Sequence, residues 1–187
     1  MPVYQREDRR VNAENLRAAL IREASACLDE RPASDVSLRD IARGAGVTHA
    51  AAYRHFRDRE AVFGAVAAQD FEALTAAILA ATAEPSGSPL ERAGIAYVTF
   101  ALSRPHRFRS MFGQLGRGDA AVVEKASLLL AATPSLVTSG TSEAAALTLW
   151  VAVHGIACLA LDGALPPQAR DPVALARAIV SSVLIGG

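Results

Sequence analysis

The chain has 187 residues, 51% of them apolar and only 5% aromatic, and its 19 Lys+Arg balance 19 Asp+Glu. That length admits one core, or a small module joined to a larger one, and excludes three units. The zero formal charge excludes a protein that holds nucleic acid by bulk basicity, and two distant cysteines in apolar surroundings, Cys27 and Cys158, argue for buried thiols rather than a disulfide framework.

Almost nothing in the chain alternates with period two, so the expected fold is all-α with about nine helices. The polar start MPVYQREDRR has no apolar signal core, and its Arg6, Arg9 and Arg10 form either an arm suited to a minor groove or a solvated start. A first helix is expected from near Asn12 to Glu30, with Leu16, Leu20, Ala24 and Leu28 making one stripe and Pro32 ending it. Ser37 and Asp40 have capping-box spacing, Leu38, Ile41 and Ala42 give a buried face, and Gly44-Ala45-Gly46 stops this second helix. Thr48 caps a third helix reaching Phe56, and Asp58 caps a fourth that extends to about Thr82.

Ser88, Pro89 and Glu91 then form a strong helix start, and the fifth helix runs to about Ser103. Shorter helices are expected at Pro105–Phe112 and Asp119–Ala132, separated by a Gly-rich turn, Gly113–Gly118. Residues 142–164 read as the next long helix, and Asp171-Pro172 opens the last one, Pro172–Ile185. Ala144–Leu161 comes nearest to a membrane span but contains His154, so no membrane contact is expected.

A helix, a tight glycine turn and a second helix within twenty residues form the geometry that lays the second helix in a DNA major groove. Gly46 suits the positive φ of such a turn. Ile41, Val47, Ala52 and Phe56 point inward at helical spacing, leaving His49, Ala50, Tyr53 and Arg54 outside. An ordinary helical hairpin shares the start and the turn, with Tyr53 and Phe56 simply in its core.

The segments Ser37-Leu38-Arg39-Asp40-Ile41-Ala42, Gly46-Val47-Thr48, Tyr53-Arg54-His55-Phe56 and Asp58-Arg59-Glu60 together resemble the signature of the tetracycline-repressor (TetR) family over residues 12–67. The resemblance implies phosphate contacts from Ser37, Tyr53, His55 and Arg59. It implies base contacts from Arg39, Thr48, His49, Ala50 and Ala51, with Arg54 in reach. Arg59 stands where the family usually has Lys, which keeps the charge and changes the reach. Alanines offer thymine a methyl contact without hydrogen-bonding selectivity, so discrimination falls mainly to Arg39 and His49, with help from DNA shape. A DNA-binding domain over 1–57 and a ligand-binding and dimerisation domain over 58–187 follow, as does a homodimer on a pseudo-palindromic operator.

Residues 142–164 are apolar on more than one face. One stripe reads Leu147, Trp150, Val151, His154, Cys158 and Leu161. The other, Ala145, Thr148, Ala152, Gly155 and Leu159, is small enough for close helix approach and, with Leu175, Ile179 and Val183, is the expected dimer seam. Trp150-x-x-x-His154-Gly155 resembles the Trp-His-Gly motif of one C-terminal branch of the family, and Tyr97, Phe100-Ala101, Pro105 and Met111-Phe112 agree with it. An apolar pocket is expected from Phe63, Phe71, Leu74, Val98, Leu102, Phe108, Met111, Phe112, Trp150 and His154, for a small apolar or amphipathic effector of unknown identity. His154 is either its polar anchor or a structural histidine beside a packed tryptophan.

A helical enzyme is the main rival, and a helical interaction module the third reading. The four histidines lack metal-ligand spacing, and Gly113-x-x-Gly116-x-Gly118 lacks both the Lys-Ser/Thr and the preceding strand of a phosphate loop. No catalytic residue, metal or cofactor is therefore expected, and the location expected is the cytoplasm.

Overall fold

A computed structural model describes residues 3–85, 87–132 and 143–185, with side chains for 15–85, 87–129 and 147–182. Among them run nine α-helices: α1 (Val3–Glu30), α2 (Leu38–Gly44), α3 (His49–Tyr53), α4 (Arg59–Ala83), α5 (Pro89–Ser103), α6 (Pro105–Gly116), α7 (Ala120–Ala132), α8 (Glu143–Leu161) and α9 (Pro172–Ile185). The starts follow side-chain chemistry. Thr48, Asp58 and Ser88 each accept a bond from the backbone N–H three residues on, and Asp119 and Asp171 cap α7 and α9 in the same way.

α8 ends at Leu161, short of the expected residue 164, and three other boundaries differ from expectation. α1 starts at Val3 rather than Asn12, so Arg6, Arg9 and Arg10 lie in a helix and not in an extended arm; its stretch contains neither Gly nor Pro, and nothing in it breaks the hydrogen-bond ladder. α3 ends at Tyr53, where Arg54 and His55 donate to carbonyls three residues back and tighten the chain. α6 continues through Gly113 and Gly116 to a turn at Gly118, whose φ is +74°. Both glycines lie on its exposed side while Met111 and Gln114 hold the buried one, so packing outweighs a propensity cost of about 1 kcal/mol per glycine.

Two cores result. Leu20, Ile21 and Leu28 of α1 pack with Leu38, Ile41, Phe56, Val62 and Phe63. Phe71 and Leu74 begin a second core with α5 to α9. α4 is thus shared by both. It is long and apolar enough to cross a membrane, yet half of that stretch is buried inside the bundle, as suits a core helix.

Candidate nucleic-acid interface and the core behind it

The α2–α3 hairpin is built from local bonds. Ser37 Oγ accepts from the Asp40 N–H at 3.1 Å, and Asp40 Oδ2 accepts from the Ser37 N–H at 3.1 Å and hydroxyl at 2.6 Å, a complete capping box. The Ser37 hydrogen bonds hold the Asp40 carboxyl below its usual range. Gly46 takes φ +70° in the turn, a conformation that costs a side-chain-bearing residue strain. Thr48 Oγ1 accepts from the Ala51 N–H at 3.2 Å, which leaves its own proton free to donate.

Ser37, Arg39, Thr48, His49, Ala50, Tyr53 and Arg54 are all exposed, and His55 is half-buried. Residues 49, 50 and 53 of α3 and its C-cap Arg54 lie on one side, and the His49 and Tyr53 rings meet edge-on at 4.6 Å. Ala51 falls instead on the packed side, 9% exposed. Arg59 is also placed differently from a free phosphate contact. Its guanidinium donates to the carbonyls of Ala33, Ser34 and Val36 at 3.4, 3.4 and 3.1 Å and to Glu60 at 3.1 Å, tying the α1–α2 connector to α4.

Of the residues expected around a pocket, Phe71, Leu74, Val98, Phe108 and Met111 are buried in the second core, with Leu102, Phe112 and Trp150 packed against it. Phe63 belongs to the first core, beneath the Arg59 guanidinium. His154 sits in an aromatic nest, 4.4 Å from the Phe112 ring and stacked on Trp150 at 5.5 Å. Its Nδ1 lies 2.9 Å from the Tyr97 hydroxyl and its Nε2 3.5 Å from Cys158 Sγ. Burial pushes the imidazole pKa down and those of the Cys158 thiol and the Tyr97 phenol up, so all three are held neutral.

The cleft beside this nest has a volume of about 50 Å³ and is lined by Ile78, Gly94, Tyr97, Leu129, Trp150 and Val180, among others. Only Trp150 of the ten expected residues lines it; apart from Phe63, which lies in the first core, the others pack in and against the second core around it. Sequence reading missed Tyr97 as a polar group of the site, although a buried tyrosine hydroxyl needs a partner and His154 was at hand. The cleft is far below the roughly 300–1,000 Å³ of occupied ligand sites, so a ligand has to widen it. On α8, Leu149, Val153, Ile156 and Ala157 face inward, while Leu147, Thr148, Val151 and Leu159 are exposed. Ala152 and Gly155, and Leu175 and Ile179 of α9, are half-buried; the side chains of Ala145 and Val183 lie outside the described residues.

Residues 20–66 match the family model of bacterial regulatory proteins of the tetR family, and residues 90–183 match that of the tetracyclin repressor-like C-terminal domain. A protein of unknown function from Rhodococcus sp. RHA1 has a similar structure, with TM-score 0.80 and 31% identity over 91% of this chain and 94% of that one. A tetR-family transcriptional regulator from Streptomyces coelicolor (TM-score 0.73, 21% identity, 92% and 82% covered) shares the fold. So does a putative TetR-family regulator from Mesorhizobium loti (0.68, 19%, 93% and 97%). No curated protein matches the chain. An exposed helix-turn-helix on a helical bundle, with both halves matched in order, means that this chain belongs to the TetR family of DNA-binding transcriptional regulators, a non-enzymatic family.

Proposed function

We propose that this regulator is a cytoplasmic, homodimeric repressor that occupies a pseudo-palindromic operator and is released when a small, uncharged, mostly apolar molecule enters its C-terminal domain. Residues 1–57 read the DNA and residues 58–187 sense the ligand and dimerise, with a C-terminal half of the Trp-His-Gly type. Tyr53, His55 and Ser37 grip phosphates, Arg39 and His49 select bases, and Thr48 and Ala50 approach them. Arg54 flanks the same face. The exposed apolar residues of α8 and the adjoining part of α9 form the seam between copies.

The observation that carries the ligand reading is the cleft between α4, α5, α7, α8 and α9, whose named lining has one hydroxyl and one indole N–H and is otherwise hydrocarbon. A charged ligand would lose its hydration there without a counter-charge. An apolar body with one polar end can widen the cleft and meet Tyr97, which is paired to His154. A fold relative described as the SmeT–triclosan complex is of the kind such a reading expects (TM-score 0.57, 19% identity). Widening displaces α4 and so changes the spacing of two recognition helices, which a duplex accepts near one helical turn, ~34 Å.

The test has two arms. Genomic fragments captured by the purified protein supply an operator, and Tyr53→Ala or His55→Ala is then expected to weaken binding to it. Trp150 is the sole tryptophan, so its fluorescence reports occupancy of the cleft directly. Uncharged apolar compounds that change Trp150 emission are expected to release the operator over the same concentration range, whereas carboxylates of similar size do neither. Unchanged operator affinity in both variants would sink the docking scheme.

A further inference from the structure

Asp70, Ser110 and Gln114 are the buried polar or charged residues among those described, and all three lie along one seam. Asp70 of α4 is 1% exposed and receives the Arg107 guanidinium of α6 through Nε at 3.2 Å and through Nη2. Gln114 of α6 donates to Glu60 in the first turn of α4 at 2.8 Å, and Arg117 approaches the same carboxylate at 3.6 Å. Ser110 lies three residues beyond Arg107 and four before Gln114, hence on the same face of α6. The contact between α4 and α6 therefore carries directional polar bonds at both ends.

Arg107 also reaches further. Its Nη1 donates to both carboxylate oxygens of Asp29 at 3.4 and 3.5 Å. Asp29 stands in the last turn of α1, the helix that carries Leu20, Ile21 and Leu28 into the DNA-binding core. One planar fork thus ties a sensor helix to α4 on one side and to the first helix of the DNA-binding unit on the other. Apolar faces can slide over one another at small cost, whereas a fork shared between two carboxylates holds in one register.

We propose that Arg107 and Asp29 are positioning residues for operator binding: bridging α6 to α1, they hold the helix-turn-helix in the orientation that fits the operator. The inference rests on the repressor reading above, in which the collapsed cleft is the DNA-binding form. Neither residue touches DNA. Their effect is carried by the angle between the two units.

The experiment uses the full chain and its captured operator, with Asp29→Asn, Arg107→Lys and the double variant. Asp29→Asn removes one arm of the fork at a half-exposed carboxylate, and Arg107→Lys keeps one charge for Asp70 but cannot span both partners. Each is expected to weaken operator binding about three- to fivefold, as suits a partly exposed ion pair. The double variant is expected to be no weaker than either single one, because both remove the same bridge.

Two readouts separate positioning from general stability or phosphate contact. The thermal midpoint of Asp29→Asn stays close to that of the parent, and the dependence of affinity on salt keeps its slope, since no phosphate contact is lost. Removing a negative charge by itself favours binding to DNA, so a loss of affinity in Asp29→Asn is specific to the bridge. Parent-like affinity in both single variants, additive losses in the double one, or a changed salt slope overturns the proposal while leaving the repressor reading intact. A parent protein that captures no fragment overturns both.

Discussion

At the scale of single residues, the half-buried His154 and the buried Ser110 make opposite demands. His154 is neutral in the folded chain because burial disfavours its charged form and lowers its pKa below the ordinary 6.5. The unfolded chain therefore takes up a proton first as pH falls. Its contribution to stability is complete above about pH 6.5, falls as pH drops from there towards the folded value, and is flat below that. Thermal unfolding from about pH 7.5 down to 5.5 is expected to show this slope, and His154→Phe to lose it. Ser110 is the reverse case, since its buried hydroxyl has no hydrogen-bond partner. Ser110→Ala removes an unmet donor at almost constant shape and is expected to raise stability by up to about 1–2 kcal/mol, read from denaturant midpoints at unchanged slope. Neither demand can be read from sequence alone. His154 lies 57 positions from Tyr97 and Arg107 lies 78 from Asp29, and periodicity informs only on neighbours along one helix.

At the scale of elements, legibility follows how local the cause is. Every helix start set by a cap, at Ser37, Thr48, Asp58, Ser88, Asp119 and Asp171, is a matter of three or four adjacent residues and was visible in the sequence. The continuation of α6 through two glycines was not, because it depends on Met111 and Gln114 finding α4. The hairpin face with His49, Ala50, Tyr53 and Arg54 was legible from period alone. The cleft was not, since several apolar faces compete to fill the bundle and only packing decides where space is left. Arg59 shows the same split: its charge was visible, its attachment to the α1–α2 connector was not. Arg59→Lys keeps the charge but loses the fork that reaches Ala33, Ser34 and Val36. It is expected to destabilise the DNA-binding unit by about 1 kcal/mol, seen as faster amide exchange in residues 33–36. If Arg59 acts chiefly on phosphate instead, Arg59→Lys leaves that exchange unchanged.

At the scale of the whole molecule, the large apolar side chains left exposed among the described residues, Tyr53 apart, fall into two groups. On α8, Leu147, Val151 and Leu159 are 53%, 55% and 46% exposed. On α4 and α7, Leu79, Val123 and Leu128 are 48%, 40% and 55% exposed. Exposure of single apolar residues is ordinary, so extent alone does not choose between them. The surroundings do. Between Leu147 and Leu159 on α8, Thr148 is exposed and Ala152 and Gly155 half-buried, small residues that let a partner helix approach closely. Around Leu128 the α7 surface carries Glu124, exposed, and Lys125, paired to Glu72 at 2.8 Å, which a partner would have to desolvate. The seam between copies is thus expected on α8. Val151→Glu places a charge in its middle and should give a monomer by sedimentation with the helical content of the parent, while Leu128→Glu should stay dimeric. A monomer engages only a half-site and forgoes the gain from linking two, so Val151→Glu is expected to bind the full operator at least about a hundredfold more weakly. The opposite pattern, a dimer with Val151→Glu and a monomer with Leu128→Glu, would move the seam to α7 and require a different spacing of the recognition helices.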